Sequence, residues 1–104
     1  MSVIVDINGD TARVVPVGTI DEAGAERLKA SLDKIDLNKV KNIELDFRGV
    51  PFIGSAGIGK LLSLYRLVAP KGGAVTIINV TQDIYNIFRG TKLTEVFSVR
   101  VARS

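Results

Sequence analysis

Near the start of the chain Val3, Val5 and Ile7 alternate with Ile4, Asp6 and Asn8. That period of two predicts a strand. Asn8-Gly9 then supplies the residues that best tolerate positive φ in a tight hairpin, and Ala12 to Val17 returns as a second strand. Pro16 has no N–H to donate, so this strand is expected to pair incompletely, at an edge or a bulge. Thr19 to Asp21 closes it and leads into a helix, with Asp21 placed to cap the free N–H groups. Ala25, Leu28, Leu32 and Ile35 recur at helical spacing and form the apolar stripe of that helix.

The second half repeats the alternation of strand and helix. Ile43-Glu44-Leu45-Asp46-Phe47 predicts a third strand, and Gly49 to Ser55 connects it to a helix running from about Ala56 to Val68. Ile58, Leu61, Leu62 and Tyr65 carry the i, i+3, i+4, i+7 pattern of one buried face. Pro70-Lys71-Gly72-Gly73 stops the helix. Ala74 to Val80 is a continuous apolar run, as expected in a sheet interior. Thr81 can cap a third helix with Ile84, Ile87 and Phe88 facing inward and Gly90 at its end, and Leu93 to Val101 suggests a last strand. The order β-β-α-β-α-β-α-β predicts an α/β fold. It has four to five mostly parallel strands, an N-terminal antiparallel hairpin and about three helices. Leu45, Phe47, Leu61, Ile77 and Phe88 are the expected core.

The stretch Phe52-Ile53-Gly54-Ser55-Ala56-Gly57-Ile58-Gly59-Lys60-Leu61-Leu62 stands out. It is a hydrophobic approach, a glycine-flanked serine and a helical run. N–H groups at a helix start are unpaired, and the helix dipole favours negative charge there, so a phosphate would be well placed. One reading is a phosphate-binding loop, because Gly54 to Lys60 fits G-x-x-x-x-G-K. That loop needs Ser or Thr next to hold magnesium, and here the residue is Leu61, a member of the apolar stripe. A second reading is structural: the glycines allow a tight turn and Ser55 caps the helix.

Composition narrows the chemistry. With 104 residues the chain is expected to be one domain, residues 1–104, and it holds neither Cys nor His. Disulfides, thiolate metal sites and His-based catalysis are therefore excluded. No apolar run approaches the ~20 residues of a membrane span. Charge appears too early, at Asp6, for a signal peptide, so a cytoplasmic location without membrane insertion is expected. The net charge of +3 divides unevenly: residues 1–47 carry six Lys/Arg and nine Asp/Glu, whereas residues 48–104 carry eight and two. A basic half can meet an acidic or phosphate-bearing partner. Without a five-residue basic run or a set of exposed aromatics, direct nucleic-acid binding is not expected. Asp21, Asp46 and Asp83 read as a helix cap, a strand-face charge and a first-turn acid, so no catalytic residue, enzyme activity or cofactor is expected.

Ile43–Phe97 resembles the STAS domain of bacterial anti-sigma-factor antagonists. The similarity is carried by Ile43–Phe47, Gly49-Val50-Pro51-Phe52-Ile53, Ser55-Ala56-Gly57-Ile58, and Gly72-Gly73 before a strand ending Asn79-Val80. Ile87 to Phe97 and the upstream Gly18-Thr19-Ile20-Asp21 fit as well. The resemblance implies a signalling role in transcription regulation by partner switching. Ser55 matches the serine that is phosphorylated by an anti-sigma factor acting as serine kinase, of the histidine-kinase-like ATPase fold. The dephosphorylated form binds that kinase and frees a sigma factor, and a PP2C-type phosphatase is a further partner consistent with it. The implied partner surface comprises Thr19, Asp21, Gly54, Ser55, Ala56, Gly57 and Lys60. Two residues depart from the family pattern: Gly54 stands where Asp usually precedes the serine, and Ala56 replaces a second hydroxyl. The stretch after Phe97 is also shorter than the final amphipathic helix of many members. The alternative is a non-phosphorylated STAS docking subunit, similar to the small component of lipid-transport ABC systems that docks on an ATPase.

Overall fold

The computed structural model describes residues 1–103. Five strands, β1 (Ser2–Asn8), β2 (Thr11–Val17), β3 (Asn42–Asp46), β4 (Val75–Val80) and β5 (Ser98–Val101), form one sheet in the order β1-β2-β3-β4-β5. β1 and β2 are antiparallel and every later pairing is parallel. The crossovers are α1 (Glu22–Leu32), α2 (Ser55–Val68) and α3 (Gln82–Gly90). Because strand order always advances in one direction, right-handed crossovers place the helices on one face of the sheet.

That one-sidedness sets the burial. Ala12, Val14, Ile43, Leu45, Phe47, Val75 and Ile77 point toward the helices and are buried, as are Leu61 and Phe88 opposite them. The neighbouring positions Arg13, Glu44, Thr76 and Ile78 lie on the open face and keep solvent contact. β4 is thus not buried on both sides, as its apolar run suggested; Thr76 and Ile78 are half-buried because no helix covers them. Ala25, Leu28, Leu32 and Ile35 are buried as expected, although Ile35 lies past the end of α1.

Several boundaries and faces differ from the sequence pattern. The hairpin loop is Gly9-Asp10, one residue later than expected, because Asn8 still pairs with Thr11. Gly9 alone takes positive φ there, at 63°, a conformation that favours glycine in a two-residue hairpin loop. Pro16 sits opposite Val3 at a position where β2 has already parted from β3, whose pairing ends at Val14 and Leu45. The buried face of α2 is Gly57, Leu61, Leu64 and Val68, with Ile58, Leu62 and Tyr65 half-buried beside it. A helix lying on a flat sheet buries a wide stripe, and its centre is set by where the helix approaches most closely. Leu93–Glu95 forms a 3-10 turn, so only the second half of the expected last strand is extended. Phe97 then packs edge-on against Tyr65 and Phe88, with ring centroids 6.0 and 6.3 Å away.

Candidate functional site

The Ser55 turn is held by a backbone zipper. Past its pairing with β3, the chain from Val17 to Ile20 runs parallel to Gly49–Ile53 through bridges at Val17–Gly49 and Ile20–Ile53. Gly18 N–H donates to the Gly49 carbonyl, Ile20 N–H to Phe52, and Gly54 N–H to Ile20, each at 2.9 Å. Two segments more than thirty residues apart are thereby laid side by side. The lead-ins to α1 and α2 emerge together at the same end of the sheet, so Thr19 and Asp21 lie beside the Ser55 turn.

Each predicted site residue has a definite place. Asp21 caps α1, accepting from Gly24 N–H at 2.8 Å, and it is exposed along with Thr19. The N-cap of α2 is Gly54 and not Ser55, which is the first helical residue; no side chain caps this helix. The capping reading of Ser55 is therefore corrected. The Ser55 hydroxyl is exposed and has no hydrogen-bond partner among the described residues, and the first turn of α2 contains no acid. Its free N–H groups face no fixed anion. Gly54 has extended backbone (φ −97°, ψ −178°), and a Cβ there would meet nothing closer than 3.5 Å. An aspartate would fit, so the glycine changes the chemistry beside Ser55 and not the fold.

Gly57 is buried and supports the surface from beneath. A Cβ at Gly57 would fall 2.6 Å from Ile20 and 2.8 Å from Ile53, so glycine lets α2 settle on the zipper without displacing either side chain. Ala56 is half-buried. Lys60 reaches the Glu26 carboxylate of α1 at 3.2 Å. With Leu61 fully buried after it, the phosphate-binding loop reading fails on the packing as well as on the motif.

Sequence reasoning missed two features. Phe52, read as part of a hydrophobic approach, is half exposed (50%), and its ring lies beside Gly54. Pro51 just before it, which interrupts any strand pattern, was the available signal. Asp46, read as a strand-face charge, is only 6% exposed. Its Oδ1 accepts from Arg48 N–H (3.0 Å) and Asn79 Nδ2 (3.1 Å), and its Oδ2 from Arg13 Nη2 (2.6 Å). Arg13 Nη1 also reaches Glu44 at 2.7 Å. Burial alone would raise the Asp46 pKa; the Arg48 N–H, the Asn79 amide and the Arg13 and Arg48 charges outweigh it and hold the carboxyl below its ordinary value. The network ties the first residues of the β3–α2 connection to β2 and β4, which fixes the path that ends at Ser55.

The family model of the STAS domain matches residues 2–104. The chain belongs to the STAS domain family. This STAS domain is 22% identical over 83 residues to the anti-sigma F factor antagonist of Paenibacillus polymyxa, a match spanning 79% of this chain and 71% of that protein. It superposes on an anti-sigma factor antagonist from Mycobacterium paratuberculosis with a TM-score of 0.83 at 19% identity, over 95% of this chain and 84% of the other. The antagonist SpoIIAA in its unphosphorylated form gives 0.71 at 20% identity, over 85% and 82%. SpoIIAA has also been solved phosphorylated, where the score is 0.74 at 19% identity, over 94% and 90%. At these identities the solved structures share the fold of this STAS domain. Among the described residues no helix is long and apolar enough to cross a membrane, and no cluster of acidic side chains is arranged to hold a metal ion.

Proposed function

We propose that this STAS domain is an anti-sigma factor antagonist that switches partners through phosphorylation of Ser55. The observation that carries the reading is the state of that serine. It is an exposed, unpartnered hydroxyl at the first position of a helix whose N-terminus lacks any capping carboxylate. A serine kinase reaches such a group without steric cover. The added charge of about −1.5 to −2 gains the helix N-terminus, worth roughly 0.3–1 kcal/mol when exposed. The domain therefore tolerates the phosphate, while a partner seated on Thr19, Asp21, Gly54, Ser55, Ala56 and Lys60 meets it as like charge and buried polar surface. Phe52 beside Gly54 adds an aromatic anchor to that surface. The curated relative's role and the two solved states of SpoIIAA support the same reading.

The partner in this reading is an anti-sigma factor with serine-kinase activity, of the histidine-kinase-like ATPase fold, with a PP2C-type phosphatase restoring the serine. Gly54 favours a second reading. Because an aspartate would fit there and is absent, the chain suits a fixed docking subunit, such as one bound to a transporter ATPase. Ser55→Asp and Ser55→Ala, each assayed for affinity to the co-purifying partner, separate the two. Under the switch, Ser55→Asp binds at least about tenfold more weakly than Ser55→Ala, a difference of about 1.4 kcal/mol. Mass spectrometry after kinase treatment finds phosphate on Ser55. Equal binding by both variants with no phosphate, and a transporter ATPase as the captured protein, would establish the docking subunit instead.

A further inference from the structure

On the helix-free face, at the end of the sheet where β3, β4 and β5 finish, Arg48, Arg100 and Arg103 line one open cleft of about 540 Å³. Ile78, Asn79 and Val101 form the rest of its wall. All three arginines are exposed, and among the described residues none forms a salt bridge. Asp46 accepts hydrogen bonds from Arg48 N–H, Asn79 and Arg13, and of the three arginines only the Arg48 charge helps to lower its pKa. Among the described residues the cleft therefore presents three arginines outside any salt bridge.

The backbone is specialised at the same spot. Asn79 is held at φ 58°, one of two non-glycine residues with positive φ among those described, and the β4–β5 register slips between Ile77 and Val80. Bulges and left-handed non-glycine residues concentrate where a strand is re-aimed for a purpose. Here the slip falls beside Arg100 and Val101, and β5 is the last strand of the sheet, with no strand among the described residues paired along its outer side.

We propose that this cleft is a second docking surface, separate from the Ser55 turn, for an Asp/Glu-rich segment of a partner protein. Guanidinium forks match carboxylates two hydrogen bonds at a time, and three of them along an open cleft suit successive acidic side chains. Half-buried Ile78 and Val101 offer apolar contact between the charges. The unpaired outer edge of β5 can receive an extended backbone. A compact phosphate ligand is less well matched: neither a helix N-terminus nor a glycine contributes to the cleft wall, so the backbone N–H cradle typical of phosphate sites is missing.

The test is fluorescence anisotropy of a labelled Glu/Asp-rich peptide with the full chain, at low salt and at about 0.15 M ionic strength. The double variant Arg48→Gln/Arg100→Gln is compared with Arg66→Gln/Arg89→Gln, which removes two exposed charges on α2 and α3 away from the cleft. Binding should weaken at least about tenfold in the cleft variant and stay within about twofold in Arg66→Gln/Arg89→Gln. Ser55→Asp should bind the peptide like the unaltered chain, which separates this surface from the proposed switch. An equal loss in both arginine variants would reduce the effect to net charge and overturn the proposal. So would undetectable peptide binding at low salt, or displacement by pyrophosphate at lower concentration than by unlabelled peptide, which would assign the cleft to phosphate. Thermal melts of each variant identify any loss due to unfolding, and in that event Arg100→Lys, which keeps the charge but removes the fork, decides between the outcomes.

Discussion

The two faces of the sheet reach order by opposite means. Under the helices, Ile20, Ile53, Leu61 and Phe88 are fully buried and position the Ser55 turn by close packing, with Gly57 at the tightest point. On the open face, a buried carboxylate is held by an arginine, an asparagine and a backbone N–H. The apolar side tolerates little change in volume, whereas the polar side tolerates little change in charge. Both lead to the same connection, Asp46 to Ser55, so the candidate docking turn is anchored from above and below.

The largest loss of stability is expected at Leu61. Leu61→Ala should cost about 2–5 kcal/mol, measured by denaturant unfolding, because the side chain is wholly enclosed. On the open face, Asp46→Ala should cost about 1–3 kcal/mol, as it leaves the Arg48 N–H and the Asn79 amide without their acceptor, while the half-exposed Arg13 keeps Glu44. The two losses should add if the faces are independent and fall short of additivity if they share the connection.

Acid acts on the open face through Asp46. The folded-state pKa of Asp46 lies below its unfolded value. Its contribution is therefore fully present above the unfolded pKa of about 3.9 and is lost as pH falls through the lower folded pKa. Asp46→Asn should flatten the decline in melting temperature below pH about 4, while Leu61→Ala should shift the whole curve without changing its shape.

Gly57→Ala is a smaller perturbation with two opposed terms. Alanine gains about 1 kcal/mol of helix propensity over glycine, but its Cβ must displace Ile20 and Ile53 from 2.6 and 2.8 Å. Overpacking costs typically about 1–3 kcal/mol, so a net loss of up to about 2 kcal/mol is expected, with the Ser55 amide shifting in NMR spectra. The least effect on folding is expected at Lys60. Its bond to the exposed Glu26 should contribute less than about 1 kcal/mol, so Lys60→Gln should leave the melt unchanged and alter only partner binding.

Much of the helix-covered side was legible in the sequence. Periodicity marked all three helices, and Asp21 and Thr81 cap two of them, the latter accepting from Ile84 N–H at 3.2 Å. The open face was less legible. Asp46 and Asn79 are 33 residues apart, and nothing local in either marks it as the partner of the other. The rotation of the α2 face was hidden for a similar reason. Four apolar positions define a stripe, but the residue that sets its centre is a glycine, which contributes no hydrophobic signal.

By itself, the sequence determined the succession of strands and helices, the residues with no choice but to be buried, and the serine at the head of the second helix. These follow from period, capping and turn chemistry, which act over a few residues. Tertiary structure decided that the Thr19–Asp21 and Ser55 lead-ins meet through the Ile20 zipper, and that Phe52 is exposed beside them. It also decided that Asp46 is buried in a network and that three arginines from two distant segments share one cleft. Those outcomes depend on strand order and on which face the crossovers cover, and only the assembled sheet brings the distant groups into contact.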